Sequence, residues 1–244
     1  MMDINEEFAK KQEWFEKECV DNYNFKILVM SCDKYHKYTS ELFYHCLWKY
    51  WANHPEVYYC LETSDSQYFK TIHSNHSVDK WSLRLVEALQ QIDSDIVMIC
   101  PDDTFFRKQV NGKVINKLST YIDDKLIGIN LEPAFDGFQV NEILTIRDSS
   151  KKWLTSMMPS LWNKKKLIEL IGGRELNPRQ VEKIGTNTPY NYGIITTNNT
   201  DIDFGKVKGV YPYAITEGKW AREIVDFAKN ESIEIDFSEL GFFN

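Results

Sequence analysis

The stretch DSDIVMICPDDTFF, residues 93–106, contains the pattern that decides the fold of this chain. Its apolar run at 95–100 predicts a buried strand. Two adjacent carboxylates, Asp102 and Asp103, follow where that strand ends. Burying either carboxylate is costly unless a partner compensates its charge. A bound cation, helix N-termini or plain solvent would each resolve this conflict.

Apolar runs and helical stripes alternate on the amino-terminal side of this stretch. Strands are predicted at 25–31, 56–62 and 95–100, with helices at 39–51 and 80–92 between them. Other elements predicted in this half are a polar helix at 4–19, a helix at 113–123 and a strand at 125–132. The alternation predicts an α/β fold, with a mostly parallel central sheet flanked by helices.

The second half of the chain is less regular. In NPRQVEKIG, residues 177–185, Asn177 is a candidate N-cap, Pro178 occupies the first helical position and Gln180 could complete a capping box. Further strands are predicted within YGIITTNN and VKGVYPYAI, and a last helix at about 218–230. Because no linker interrupts the sequence, we expect a single domain over residues 1–244.

The composition of the chain bears on its partners and on its place in the cell. The formal net charge is −7 and no broad basic face is evident, which argues against a nucleic-acid partner. The five cysteines form no CxxC pair and indicate reduced core thiols. The first residues are too acidic for a signal peptide, and no apolar run approaches the ~20 residues that span a bilayer. These features predict a cytoplasmic protein, with peripheral contact at the inner face of the membrane as a further possibility.

Polar segments follow two strands of the predicted sheet, SCDKY at 31–35 and PDDTFF at 101–106. Ligands of open parallel sheets bind at the carboxyl ends of the strands. A carboxylate pair there suits Mg²⁺ or Mn²⁺, which often takes one or two protein carboxylates and substrate phosphates. The pattern therefore suggests a nucleoside diphosphate substrate. A solvent-exposed turn with two acids is the alternative.

Several segments, in order along most of the chain, resemble bacterial glycosyltransferases of the GT-A fold, in particular small enzymes of capsule and lipopolysaccharide assembly. The matching blocks are VMSCDKY (29–35), LWKYW (47–51), WSLRLVEALQQIDSDIVMICPDDTFF (81–106), MPSLWNKKKL (158–167), the acid in NPRQVEKIGT and EGKW (217–220). The resemblance implies a nucleotide-sugar-binding half at about 25–132 and an acceptor-side half at about 133–244. Pro101, Thr104 and Val181 depart from the family pattern around its acids.

The resemblance also implies roles for individual residues on the donor side. Asp33 would contact the base or ribose, with a helix N-cap as the alternative. Arg84 is expected to point away from the apolar stripe, where it could neutralise a phosphate or pair with an acid. Asp103 would bind the metal, and Asp102 the ribose or the metal. Lys219 would approach the diphosphate from the first turn of the last helix, with a solvated lysine as the alternative.

Inverting transfer requires a base that removes the proton of the acceptor hydroxyl. The carboxylate candidates are Glu182, one turn inside the capped helix, and Asp136 in the loop EPAFDGFQ. Glu182 is the choice that the resemblance favours. A surface glutamate without a catalytic role is the alternative.

These expectations combine into one function with two rivals. The resemblance implies an inverting glycosyltransferase of surface polysaccharide synthesis, which moves a sugar from a nucleotide-sugar donor to a glycan or lipid-linked acceptor, with a divalent cation as cofactor. A nucleotidyltransferase could use the same sheet and acids, but SCDKYHKY after the first strand contains no glycine for a phosphate loop. A catalytically silent protein that binds sugar nucleotides is the other rival.

Overall fold

A computed structural model describes residues 22–132, 137–150, 154–186, 188–196 and 214–243. Three features predicted from the sequence lie outside these ranges. They are the helix at 4–19, the alternative base Asp136 and most of the strand expected within 207–215.

The described part of the chain alternates helices and strands. The helices are α1 (His36–Tyr50), α2 (Trp81–Gln91), α3 (Gly112–Ser119), α4 (Lys164–Ile171), α5 (Pro178–Ile184) and α6 (Glu223–Glu231). The strands are β1 (Lys26–Met30), β2 (Val57–Leu61), β3 (Lys70–His73), β4 (Ile96–Pro101), β5 (Leu126–Asn130), β6 (Phe138–Gln139), β7 (Leu144–Ile146), β8 (Ser160–Asn163), β9 (Asn191–Ile195), β10 (Ile215–Thr216) and β11 (Lys219–Trp220).

Nine strands form one sheet in the order β3-β2-β1-β4-β8-β5-β9-β7-β6, and β10 and β11 form a separate hairpin. The pairings make β7 and β8 antiparallel to the remaining strands of the sheet. The expected α/β architecture, a mostly parallel central sheet flanked by helices in a single domain, is therefore confirmed. The strand β3 was not anticipated, because its short sequence KTIH shows no apolar alternation.

Each face of the sheet carries its own apolar core, because successive side chains of a strand point to opposite faces. Val29 and Cys100 pack with Leu42 and Phe43 of α1 on one face. The residues next to them in the strands, such as Leu28 and Ile99, pack with Leu85 and Leu89 of α2 on the other face. We call these the α1 face and the α2 face. Four of the five expected thiols are found, since Cys32, Cys46, Cys60 and Cys100 are buried and unpaired, and Cys19 lies outside the described residues.

One predicted boundary is wrong. The last helix begins at Glu223 and not near 218, because Glu217 and Gly218 both have positive φ angles, of 50° and 79°. These angles suit the two-residue turn of a hairpin. In the described ranges, no helix is both long and apolar enough to cross a bilayer.

Candidate functional site

A cavity of about 490 Å³ opens at the carboxyl ends of β1 and β4, where Met30 pairs with Pro101. Most of its wall is apolar, and four polar residues interrupt it: Asp103, Asn177, Arg179 and Glu182. The remaining lining residues are Met30, Trp81, Ile99, Pro101, Met157, Pro178 and Ile215. This is the sheet edge at which ligands of parallel sheets bind. A mostly apolar pocket with a few convergent polar groups is typical of small-molecule sites.

The two adjacent carboxylates at this edge point to opposite faces of the sheet. Asp102 lies on the α1 face, where one of its carboxylate oxygens accepts hydrogen bonds from the hydroxyls of Ser31 and Thr39, at 2.5 and 2.6 Å. Asp103 lies on the α2 face and lines the cavity. The alternation of the strand thus continues past Pro101 and separates the like charges as far as neighbouring residues allow.

Asp103 is half-buried and contacts the start of the β10–β11 hairpin. Its backbone carbonyl accepts the N–H of Ala214 at 3.1 Å, and its carboxylate interacts with the N–H of Ile215. Burial and the charge of Asp102 raise the pKa of Asp103 to about 8, against the opposing effect of the Ile215 N–H. A carboxyl group with a raised pKa in a cleft is poised to gain from a bound cation.

Glu182 reaches the same cavity from α5. The predicted capping box is present: Asn177 accepts the N–H of Gln180, and the Gln180 side chain accepts the N–H of Asn177, both at 2.9 Å. Glu182 Oε1 accepts the N–H of Met157 at 3.1 Å. Burial raises the pKa of Glu182, although the Met157 N–H and the charge of Arg179 lower it. The carboxylate is therefore fixed in direction and holds its proton more tightly than a surface glutamate.

Asp33 lies outside the cavity lining, and it caps a loop instead of a helix. Its carboxylate accepts the N–H groups of Glu62, Thr63 and Ser64, at 3.0 to 3.2 Å, and the Thr63 hydroxyl. Burial would raise the pKa of Asp33, but these bonds outweigh it and lower the pKa. The N-cap position of α1 is Tyr35, which makes no side-chain cap. Asp33 therefore joins the loops after β1 and β2 and is not the N-cap of α1, while its contact with a base or ribose stays a prediction.

Arg84 points into the protein, contrary to the expectation that it faces away from the apolar stripe. Its side chain is 1% exposed and forms an ion pair with Glu62 at 2.9 Å. The guanidinium also donates to the backbone carbonyls of Ser31, at 2.7 Å, and Cys60, at 3.4 Å. These acceptors compensate the charge of Arg84 in the interior, although its Nε atom is buried without a hydrogen-bond partner. Of the two roles considered, the structure shows the pairing with an acid, and Arg84 does not line the cavity, so its contact with a phosphate stays a prediction.

Lys219 is exposed and lies in β11, opposite Thr216 in the hairpin. It is not in the first turn of a helix, so the free N–H groups of a helix start do not accompany it. The hairpin is nevertheless close to the site. Ile215 lines the cavity, and a Cβ atom on Gly218 would lie 2.8 Å from the hydroxyl of Tyr35. Glycine at the turn thus lets the hairpin pack on the loop after β1.

The residues at the cavity fit a divalent cation in part. In the described ranges no group of three or more His, Cys, Asp or Glu side chains could hold a metal. The Asp102 carboxylate is bound by two hydroxyls on the opposite face, so it does not meet Asp103 as a second ligand. Asp103 alone presents a carboxylate to the cavity from this pair. One carboxylate together with substrate phosphates is a common way to hold Mg²⁺.

Several residues of the cavity were not predicted as site residues. Trp81 is half-buried, packs against the core of the α2 face and lines the cavity. Arg179 was overlooked, although it precedes Glu182 by three positions and therefore shares its side of a helix. That spacing was a usable signal. Met157 comes from a segment without a clear pattern, and nothing in the sequence indicated its place.

Comparison with known proteins gives distant structural likenesses. No protein-family model matches the sequence, and no curated protein matches it. TarS 1–349 of S. aureus is 14% identical, with a TM-score of 0.46, over 73% of this chain and 59% of that one. A nucleotidyl transferase from Methanothermobacter is 10% identical, with a TM-score of 0.48, over 72% and 87%. The 4-diphosphocytidyl-2C-methyl-D-erythritol synthase of Anaerococcus prevotii is 12% identical, with a TM-score of 0.41, over 73% and 89%. TarS 1–349 is also described in complex with UDP and with UDP-GlcNAc.

Proposed function

We propose that this protein is an inverting glycosyltransferase, which moves a sugar from a nucleotide-sugar donor to a glycan or lipid-linked acceptor in surface polysaccharide synthesis. One observation carries the proposal: a single cavity at the carboxyl edge of the sheet brings Asp103 and Glu182 together. They come from distant parts of the sequence, and each has a raised pKa. The sequence resemblance assigns these two residues to the donor and to the acceptor. A lipid-linked acceptor would bring the protein to the inner face of the membrane.

Glu182 is the general base in this proposal. It takes the proton of an acceptor hydroxyl as that oxygen attacks the anomeric carbon from the side opposite the nucleotide. The bond between the anomeric carbon and the diphosphate breaks, and the nucleoside diphosphate leaves with both bonding electrons. A base works best when its pKa approaches the working pH, and burial moves Glu182 in that direction. The bond from Met157 fixes the carboxylate, which such a proton transfer requires.

Asp103 is the donor-side residue. It would hold Mg²⁺ or Mn²⁺ together with diphosphate oxygens, and the cation would compensate the negative charge of the leaving group. Asp102 would act on the opposite face by fixing the loop through Ser31 and Thr39. Trp81 offers an aromatic wall to the nucleotide or the sugar. Lys219, on the hairpin that carries Ile215, stays our candidate for a contact with the diphosphate.

Product analysis tests this function against its rivals. The protein is incubated with Mn²⁺ and a panel of nucleotide sugars that includes UDP-GlcNAc, with and without candidate acceptors. Release of nucleoside diphosphate that depends on an acceptor, with inverted anomeric configuration by NMR, is the expected result. Release of pyrophosphate from a nucleoside triphosphate and a sugar 1-phosphate would instead identify a nucleotidyltransferase. A nucleotide-sugar-dependent rise in melting temperature without any turnover would identify a silent binding protein.

A further inference from the structure

A second pocket, of about 450 Å³, shares Glu182 with the cavity at the carboxyl edge of the sheet, which we call the donor cavity. All six of its lining residues are polar: Asn130, Arg147, Thr155, Ser156, Arg179 and Glu182. Glu182 and Arg179 line both cavities and so form a shared wall. The donor cavity is mostly apolar, whereas the second pocket has two arginines, one carboxylate and three neutral polar groups. We call it the arginine pocket.

The arginine pocket is a built part of the fold and not a chance gap between side chains. Arg147 follows β7, where its backbone N–H bonds to the Tyr192 carbonyl at 2.8 Å. Its guanidinium donates to the Leu154 carbonyl at 3.1 Å, which fixes the direction of the side chain. Thr155 donates to the carbonyl of Val181 at 3.0 Å and ties this wall to α5.

The charges of the pocket favour an anion. Arg147 and Arg179 bring two positive charges, and Glu182 brings one negative charge. Ser156 Oγ accepts the N–H of Met158 at 3.2 Å, and its own hydroxyl proton can be donated elsewhere. Guanidinium groups pair with phosphate or carboxylate oxygens in a planar, bidentate way. Two guanidinium groups beside Glu182 bring more positive charge than the binding of a neutral sugar hydroxyl requires.

We infer that the arginine pocket binds an anionic group of the acceptor, a phosphate or a carboxylate, and so presents the acceptor hydroxyl to Glu182. The inference rests on the proposed function, because it assigns the nucleotide sugar to the donor cavity. The base then lines two pockets of different chemistry: one receives the nucleotide sugar, and the other selects acceptors that carry a negative charge.

Binding measurements without any donor test the pocket itself. Glucose 6-phosphate and glucose serve as matched probes in isothermal titration calorimetry. We expect the phosphate to improve affinity at least tenfold in the wild type, and Arg179→Gln to remove that advantage. Lys165→Gln is the control, because it removes the same charge from an exposed position on α4. Equal affinity of the wild type for the two probes would overturn the inference.

Arg147→Gln tests the arginine pocket independently of the donor cavity, because Arg147 lines only the first of the two. It should weaken glucose 6-phosphate binding about as much as Arg179→Gln does and leave UDP binding unchanged. Its melting temperature is measured in parallel, since the bond to the Leu154 carbonyl is also lost. If this variant does not fold, the Arg179→Gln result decides.

Competition distinguishes an acceptor anion from the diphosphate of the donor. UDP with Mn²⁺ should leave the affinity for glucose 6-phosphate unchanged if the two anions occupy different pockets. Displacement of glucose 6-phosphate by UDP would overturn the assignment to the acceptor. Phosphate binding without transfer to any acceptor would refute the glycosyltransferase and, with it, the acceptor role. Transfer to phosphate-bearing acceptors that is as efficient in Arg179→Gln as in the wild type would overturn the inference and leave the function intact.

Discussion

At the scale of single residues, Asp102 and Asp103 have different tasks although they are neighbours. Asp102 accepts hydrogen bonds from two hydroxyl groups on the α1 face and so fixes the loop between β1 and α1. Asp103 faces the cavity, where burial and the charge of Asp102 raise its pKa. Substitutions should therefore distinguish the structural role of Asp102 from the ligand-binding role of Asp103.

Asp103→Asn should preserve the fold and weaken Mn²⁺-dependent binding of UDP at least tenfold. The loss corresponds to one charge-assisted contact of ~1.5–3 kcal/mol. Titration calorimetry with and without EDTA measures it. Asp124→Asn is the matched control, because the Asp124 side chain is 85% exposed and bears the same charge. Equal UDP affinity in the wild type and in Asp103→Asn, with and without EDTA, would exclude the metal assignment.

Glu182→Gln should leave donor binding intact and lower the transfer rate by ~10²–10⁴, the usual cost of losing a general base. The wild-type rate should also fall at acid pH. Glu182 must be ionised to accept a proton, and its pKa is raised above 4.5, so the fall should begin above that value. A pH–rate profile of both proteins checks this, since the rate of the glutamine variant should not show this fall at acid pH. A variant with wild-type transfer would direct attention to Asp136.

Asp33→Ala should lower the free energy of unfolding by about 1.5–3 kcal/mol, since several donors lose a charged acceptor. The folded state lowers the pKa of Asp33 below 3.8, so its contribution exists above pH 3.8 and disappears as the pH falls through the folded pKa. Urea unfolding at several pH values measures the difference from the wild type. Unchanged stability with weakened donor binding would support the nucleotide role implied by the sequence resemblance.

At the scale of secondary structure, the start of α5 sets the direction of Glu182. The side-chain N-cap of α5 is Asn177, and that of α4 is Asn163, which accepts the N–H of Lys166 at 3.0 Å. Asn177→Ala and Asn163→Ala should each cost about 0.5–2 kcal/mol of stability. The transfer rate should fall in Asn177→Ala, because α5 carries Glu182 and Arg179, and not in Asn163→Ala. Equal rates in the two variants would show that the cap does not position the base.

Elements with strong local signals could be predicted from the sequence. The stripe of α2 and the capping box of α5 depend on side chains close together in the chain, and both are where they were expected. The predicted position of Lys219, in the first turn of a helix, was wrong. In the sequence, Glu217 and Gly218 resemble a helix start, and only their positive φ angles show a hairpin turn. Arg84 was misplaced for a different reason. A charged residue on a helix is expected at the surface, and only the fold supplies Glu62 and two carbonyls as partners.

At the scale of the molecule, β8 joins two blocks of the sheet. It lies between β4 and β5 and runs antiparallel to both. Gly128 of β5 faces Trp162 of β8, and a Cβ atom there would lie 2.8 Å from the indole ring. That ring is held by a bond from its Nε1 to the Ser160 hydroxyl at 2.8 Å. Glycine is therefore what allows the close approach of the two strands.

Gly128→Ala should destabilise the protein by ~1–3 kcal/mol, the usual cost of overpacking a core. The backbone preference of alanine for strands acts in the opposite direction but is smaller, at about 0.5–1 kcal/mol. Denaturant unfolding measures the change. In a Trp162→Phe background the cost should shrink, because the smaller ring leaves room, and a double-mutant cycle quantifies that coupling. An equal cost in both backgrounds would show that the ring is not the obstacle.

The position of β8 also determines how the chain can fold while it is being synthesised. The ribosome delivers β1 to β4 first, but β4 obtains its second neighbour only when residues 160–163 emerge, 59 positions after Pro101. At ~5–20 residues per second, that delay is roughly 3–12 s. Meanwhile β5 has emerged, but it cannot join the sheet because its two neighbours, β8 and β9, follow later in the chain. The unpaired edge of β4 is then open to other nascent chains, so a chaperone that shields this one strand would protect the protein from aggregation.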